Sequence, residues 1–295
     1  MPREDWKDID AQLQGVKNLP VLPTIMIKTM RILSDKKSDV NDLHLLLKND
    51  PAITTKIMQV SNSVYYGFSK KIESLKTALV MLGMTEVGRL VTSVSLLSGF
   101  PRDKVSENFE YSRFWLHSAA TAEVAQALAK LCRRDNAGEL FTAGLLHDIG
   151  KLILSSYFTE DFLQCAKLAD ERHIPLALAE QEILGVNHML IGAAFVKKWG
   201  MSDMIYDVIR FHHLPDLSKN HKTEVSIIYL ANRITCLNDL GFGSIPGRGE
   251  LNQDPVLTRL LESKIIPDIM KIEDFLETIE EHLESARTLT ELILL

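Results

Sequence analysis

The residues of this chain best suited to chemistry are His117, the adjacent pair His147-Asp148, His188 and the adjacent pair His212-His213, with Lys151 one turn beyond His147. Imidazole nitrogens combined with a carboxylate suit iron, manganese, zinc or nickel better than magnesium or calcium, which favour oxygen. One carboxylate can also bridge two such ions. Metals of this kind lower the pKa of bound water and clamp phosphoryl oxygens. Lys151 can steady a phosphate in such a site, or can simply snorkel from a helix.

The run from Leu140 to Leu154 is apolar except where His147, Asp148 and Lys151 interrupt it. A buried carboxylate costs several kcal/mol unless it is paired, hydrogen-bonded or bound to a metal. Sequence neighbours lie about 100° apart around a helix, so His147 and Asp148 flank a third object more readily than they touch each other. A cation is the simplest such object. The bland alternative is a core His and Asp satisfied by backbone carbonyls and water. Several histidines in apolar helical settings together favour the metal. His44, His173, His221 and His282 have polar or unspecific neighbours and are read as surface residues.

These side chains must be carried by helices. Gly and Pro are sparse outside a few loops, and β-branched residues seldom alternate with polar ones over strand length, which predicts an all-α fold. After a polar arm, Leu19-Pro20-Val21-Leu22-Pro23-Thr24 leads into a helix with Ile25, Ile27, Met30, Ile32 and Leu33 on its apolar face. Asp39 or Asn41 can cap the next helix, and Asp50 a third that starts at Pro51. A helix pair follows around 75–82 and 87–97, then a break at 99–103. The second half is predicted as helices at 109–131, 139–156, 160–172 and 175–184, one opened by His188, one capped by Ser202 or Asp203 and ended by Leu214-Pro215, and one at 224–239. Residues 241–249 read as an irregular loop and 274–294 as a helical tail. That tail is read as an intramolecular clamp, with a homodimer helix as the alternative. His117, His147, Asp148, His188, His212 and His213 all fall in predicted helices or at helix ends of the second half, which can converge them.

The chain has 295 residues, 46 % of them hydrophobic, and a formal net charge of −6. It therefore has material for a real core, and its acidic balance argues against nucleic acid, whose binders cluster Lys and Arg. Arg133-Arg134 and Lys197-Lys198 read as solvated faces. Cys132, Cys165 and Cys236 are scattered, so neither a disulfide framework nor a thiolate zinc site is expected. The charged N-terminus lacks a signal-peptide core and no apolar run is long enough to cross a bilayer, so a cytoplasmic protein with no membrane partner is expected.

Several short motifs occur in order: Leu19-Pro20 with Leu22-Pro23, Asp50-Pro51-Ala52-Ile53-Thr54, Ser61-Asn62-Ser63, Ala78-Leu79 with Leu82-Gly83, Phe114-Trp115 with His117-Ser118, Gly144 to Lys151, and His212-His213 with Pro215. In these the chain resembles HDOD proteins, which are similar to HD-type phosphohydrolases. The resemblance implies an all-helical, HD-domain-like bacterial signalling module. It implies an arm at 1–18, an HDOD domain at 19–216 with an N-terminal helical half (19–108) and an HD-like half (109–216), and a C-terminal helical extension at 217–295 that completes the bundle.

The related HD-GYP phosphodiesterases hold iron or manganese through a His, a His-Asp pair, a further His, a His-His pair and a final Asp. By this resemblance His117, His147, Asp148, His188, His212 and His213 are the expected ligands of one or two transition-metal ions. Where the final Asp is expected the chain has Asn232, which offers only a neutral oxygen. The Gly-Tyr-Pro signature is missing, and Arg113 stands where a Glu is usual, a charge that would repel a metal. The expected function is signalling by binding a protein partner or a small nucleotide-like ligand, with a retained metal. The alternative is a metal-dependent phosphohydrolase of a nucleotide or cyclic dinucleotide, with Lys151 on the phosphate.

Overall fold

Asp39, Asp50, Ser74, Asn187, Ser202 and Asp254 each place a side-chain oxygen on a first-turn N–H of the helix that follows, at 2.7–3.4 Å. Such caps satisfy donors that a helix start leaves orphaned, and they set where the elements begin. Asp39, not Asn41, forms the first cap, in a capping box with Asp42. Ser202, not Asp203, forms the fifth. The computed structural model describes residues 23–294 apart from 36, 64–65, 101, 103–104, 106, 108 and 244–249. Among the described residues it is helical and contains no strand, as the sequence predicts.

The chain divides into two units, one of residues 20–101 with 288–295 and one of 102–287, besides the arm. The first unit carries α1 (Thr24–Ser34), α2 (Val40–Leu47), α3 (Pro51–Ser61), α4 (Leu75–Leu82) and α5 (Met84–Gly99). Its core is built from Leu43, Leu47, Ile53, Ile57, Leu79 and Val91. Asn62 closes the loop after α3: its amide donates to the Ile72 carbonyl and its oxygen accepts from the Ile72 N–H, at 2.9 and 2.8 Å. This motif residue therefore serves the loop rather than a reaction.

The second unit carries α6 (Tyr111–Leu131), α7 (Ala137–Leu146), α8 (Ile149–Tyr157), α9 (Thr159–Arg172), α10 (Leu176–Leu184), α11 (His188–Lys198), α12 (Asp203–Phe211), α13 (Lys222–Leu237), α14 (Pro255–Glu262) and α15 (Ile269–Glu277). A final helix, α16 (Ile279–Leu294), starts in this unit. Helix α6 is buried along most of its length and packs against both α7 and α13. Its alanines let α7 approach closely: a Cβ on Gly144 would lie 2.7 Å from the Ala122 Cα. That contact brings the end of α7 beside His117.

Three expectations need correction. The helix predicted over 139–156 is two helices, because Asp148 leaves the helical region (φ −101°, ψ 10°). The tail predicted over 274–294 breaks at Thr278, whose N–H and hydroxyl both donate to the Phe275 carbonyl and tighten the turn. Helix α14 was not expected, although Asp254-Pro255 has the cap and first-position signature of a helix start. Of the predicted loop 241–249, residues 244–249 lie outside the described residues. No single described helix is long and apolar enough to cross a membrane.

Candidate metal centre

Asp148 stands at the N-cap of α8, yet its carboxylate caps nothing. It is fully buried and turned to a ring of cationic and imidazole groups. Oδ2 lies 3.4 Å from His117 Nε2, 3.3 Å from His147 Nε2 and 2.6 Å from Lys151 Nζ. Oδ1 lies 3.4 Å from both His188 Nε2 and His212 Nε2. The break between α7 and α8 makes this possible, since a continuous helix would have pointed His147 and Asp148 in different directions. His117 comes from the middle of α6, His188 opens α11, and His212 and His213 follow the last turn of α12.

Each inner imidazole is oriented through its other nitrogen. Nδ1 of His117, His147 and His212 lies 2.8, 2.7 and 2.9 Å from the carbonyl oxygens of Leu240, Gly144 and Ile209. Nδ1 of His188 lies 2.6 Å from Glu180 Oε2, which also accepts from the His188 backbone N–H at 2.8 Å. Carbonyl and carboxylate oxygens only accept, so in each ring Nδ1 carries the proton and, in the neutral form, Nε2 presents its lone pair to Asp148. Lone pairs facing a carboxylate repel. His147 Nε2, His188 Nε2, His212 Nε2 and Asp148 Oδ1 have no hydrogen-bond partner among the described residues. Buried polar atoms are seldom left so, and a cation between them resolves both the repulsion and the missing bonds.

The charge states suit a metal. Burial holds His117 below the ordinary imidazole range, only partly offset by Asp148. Burial likewise pushes His212 down to about 3 and His213 well below its usual value. Burial alone would raise Asp148, but His147 and Lys151 outweigh it and hold the carboxyl ionised. Neutral imidazoles and an ionised carboxylate are the forms that ligate. The groups fall into two sets that share Asp148: His117 and His147 on one side, and His188, His212 and His213 on the other, with each set's ligand atoms within 4.8 Å of one another.

All six expected metal residues therefore meet. His213 is the outermost, its ring 4.2 Å from that of His212 and 5.4 Å from that of His188. Lys151 does not snorkel: it is buried, bonded to Asp148, and its Nζ also donates to the Phe242 carbonyl at 3.2 Å. Asn232 is buried on α13 and accepts from the Cys236 thiol one turn on. Arg113 does not bear on the site, being exposed and paired with Glu110 at 3.1 Å. His221 and His282 are not plain surface residues. The former bonds Asp207 at 3.0 Å and the latter lies against Phe275. Neither joins the cluster.

Three contributors were not anticipated. Glu180 is fully buried and fixes His188. Its position on the apolar face of α10, in phase with Leu176 and Ala179, was the available signal. Leu240 and Phe242 reach the site through backbone carbonyls, which no side-chain pattern records.

The family model for the HDOD domain matches residues 19–215. A protein of Treponema pallidum (strain Nichols) is 27 % identical over 220 residues, which are 74 % of this chain and 42 % of that relative. The chain thus spans less than half the length of that relative. Among solved structures, the fold is similar to that of an HDOD domain protein from Geobacter sulfurreducens, with TM-score 0.84, 22 % identity, and coverage of 95 % of this chain and 96 % of the other. It is also similar to a "Putative signal transduction protein" from Marinobacter aquaeolei VT8, with TM-score 0.80, 18 % identity, and coverage of 98 % and 66 %.

Proposed function

We propose that this chain, which belongs to the HDOD domain family, is a signal-transduction module that acts by binding a protein partner or a small nucleotide-like ligand and keeps a transition metal as a structural or sensory element. The observation that carries the metal is the set of inner imidazoles with Nδ1 tied back to acceptors and Nε2 turned on one buried carboxylate. His117, His147, Asp148, His188, His212 and His213 would hold iron, manganese, zinc or nickel. Such an ion supplies fixed positive charge and Lewis acidity at the meeting point of α6, α7, α8, α11 and α12. The chain's own residues hold these ligands in place: Glu180 and the carbonyls of Gly144, Ile209 and Leu240 set the ring orientations.

Two features favour a binding role over hydrolysis. Lys151 is consumed by Asp148 and Phe242, so its ammonium is not presented to a phosphate. Asn232 brings no charge to offset a dication. The test is thermal: chelator-stripped protein should gain about 2.7 kcal/mol of stability at a hundredfold excess of metal over its Kd. Identical melting with and without metal would remove the metal from this reading. Turnover of a cyclic dinucleotide or nucleoside phosphate with manganese or iron, lost in His147→Ala, would replace the binding role with a phosphohydrolase.

A further inference from the structure

The geometry points to a division of labour within Asp148: we propose that Oδ2 is permanently neutralised by the Lys151 ammonium, so that the cluster takes a single metal ion, held by Oδ1 with His188, His212 and His213. The inference rests on the metal reading above and makes it more specific.

The two carboxylate oxygens are in different situations. Oδ2 already has a cation at 2.6 Å, and that cation is anchored a second time by the Phe242 carbonyl at 3.2 Å. Phe242 is itself fixed, its ring packed 4.9 Å from that of Phe109 and 5.4 Å from that of Phe114. Lys151 is therefore built into the site, with its stem buried and its charge aimed at the carboxylate. An ion between His117, His147 and Oδ2 would sit against an ammonium, and Asn232 adds no negative charge to oppose that repulsion.

Oδ1 is the opposite case. It has no hydrogen-bond partner among the described residues, and neither have the two Nε2 atoms that face it, those of His188 and His212. With His213, these histidines and Asp148 form a four-donor set, and the Asp148 oxygen that faces His188 and His212 is Oδ1. Glu180 adds a buried negative charge behind His188, which strengthens that side alone. The uncompensated carboxylate oxygen, two of the three unpartnered Nε2 atoms and the supporting carboxylate lie on one side of Asp148; the third, that of His147, faces the oxygen that Lys151 already holds.

The test uses the full chain without an affinity tag, stripped with chelator, loaded with manganese and freed of excess metal. Metal is then counted by mass spectrometry and examined by electron paramagnetic resonance at low temperature. One manganese per chain with a six-line mononuclear spectrum is expected. Two ions with an exchange-coupled multiline spectrum would overturn the division while leaving the metal reading intact. No bound ion would overturn the metal reading itself. His212→Ala should lose the ion and His117→Ala should keep it, and the reverse pattern overturns the assignment. Lys151→Met should raise the count to two, and a count that stays at one overturns the role given to Lys151. The spectrum of the unaltered protein decides the count even where a variant fails to fold.

Discussion

A Cβ added to Gly150 would lie 1.9 Å from the backbone carbonyl oxygen of His188. Helices α8 and α11 meet closely there, and a Cβ added to Gly192 on the other helix would lie 3.3 Å from the Gly150 backbone nitrogen. The contact carries function because Asp148 precedes Gly150 by two residues and His188 opens α11. Gly150 thus sets the spacing between a carboxylate and one of its imidazoles. In an ordinary helix Gly→Ala stabilises, but here the obstacle is backbone and cannot rotate aside. Gly150→Ala should cost about 2–3 kcal/mol by urea denaturation and lower metal content. Gly138→Ala, where nothing lies within 4 Å, should cost nothing.

Glu180 should govern metal affinity without touching the metal. It holds His188 through both the backbone N–H and Nδ1. Glu180→Gln keeps an acceptor but removes the charge behind the ring, and should weaken metal binding about 10–100-fold in a competitive chelator titration while leaving helix content unchanged. An affinity equal to that of the unaltered protein would mean that His188 needs no such support.

Stability of the metal-free protein should fall on acidification, and the sign follows from direction alone. His117, His212 and His213 all titrate below the ordinary imidazole value of 6.5 in the folded chain, His212 at about 3. Between the two values the unfolded chain binds more protons than the folded one, so stability rises with pH and is lost as pH falls below about 6.5. Asp148, held well below 3.8, acts in the same direction at lower pH. Urea midpoints at successive pH values from about 7 to about 4 should decline steadily. A flat or rising series would contradict the burial of neutral imidazoles.

Much of this site was legible in the sequence because its chemistry is local in type. A His-Asp pair amid Leu145, Leu146, Ile149 and Leu152 is costly wherever it is buried, and helix spacing made convergence with His117, His188, His212 and His213 feasible. The break at Asp148 was not legible. Leu145, Leu146, Leu152 and Leu154 carry the apolar run across it on both sides, and the departure from helix goes with the carboxylate's tertiary partners. The state of Lys151 was undecided for the same reason, since its second acceptor is a backbone carbonyl 91 residues away. The stop at Leu214-Pro215 and the start at Asp50-Pro51 were read directly, because proline acts through its own ring.

The central claim is that the cluster around Asp148 holds a transition metal, and elemental analysis of tag-free protein purified without added metal tests it most directly. We predict iron, manganese, zinc or nickel bound stoichiometrically. In Asp148→Ala the metal should be lost, along with about 3–5 kcal/mol of stability, because that substitution also leaves the Lys151 charge buried and unpaired. In His44→Ala, which alters a residue outside the cluster, the metal should be retained. Protein that carries no metal above background, and that takes up none when iron, manganese, zinc or nickel is supplied, would contradict the claim.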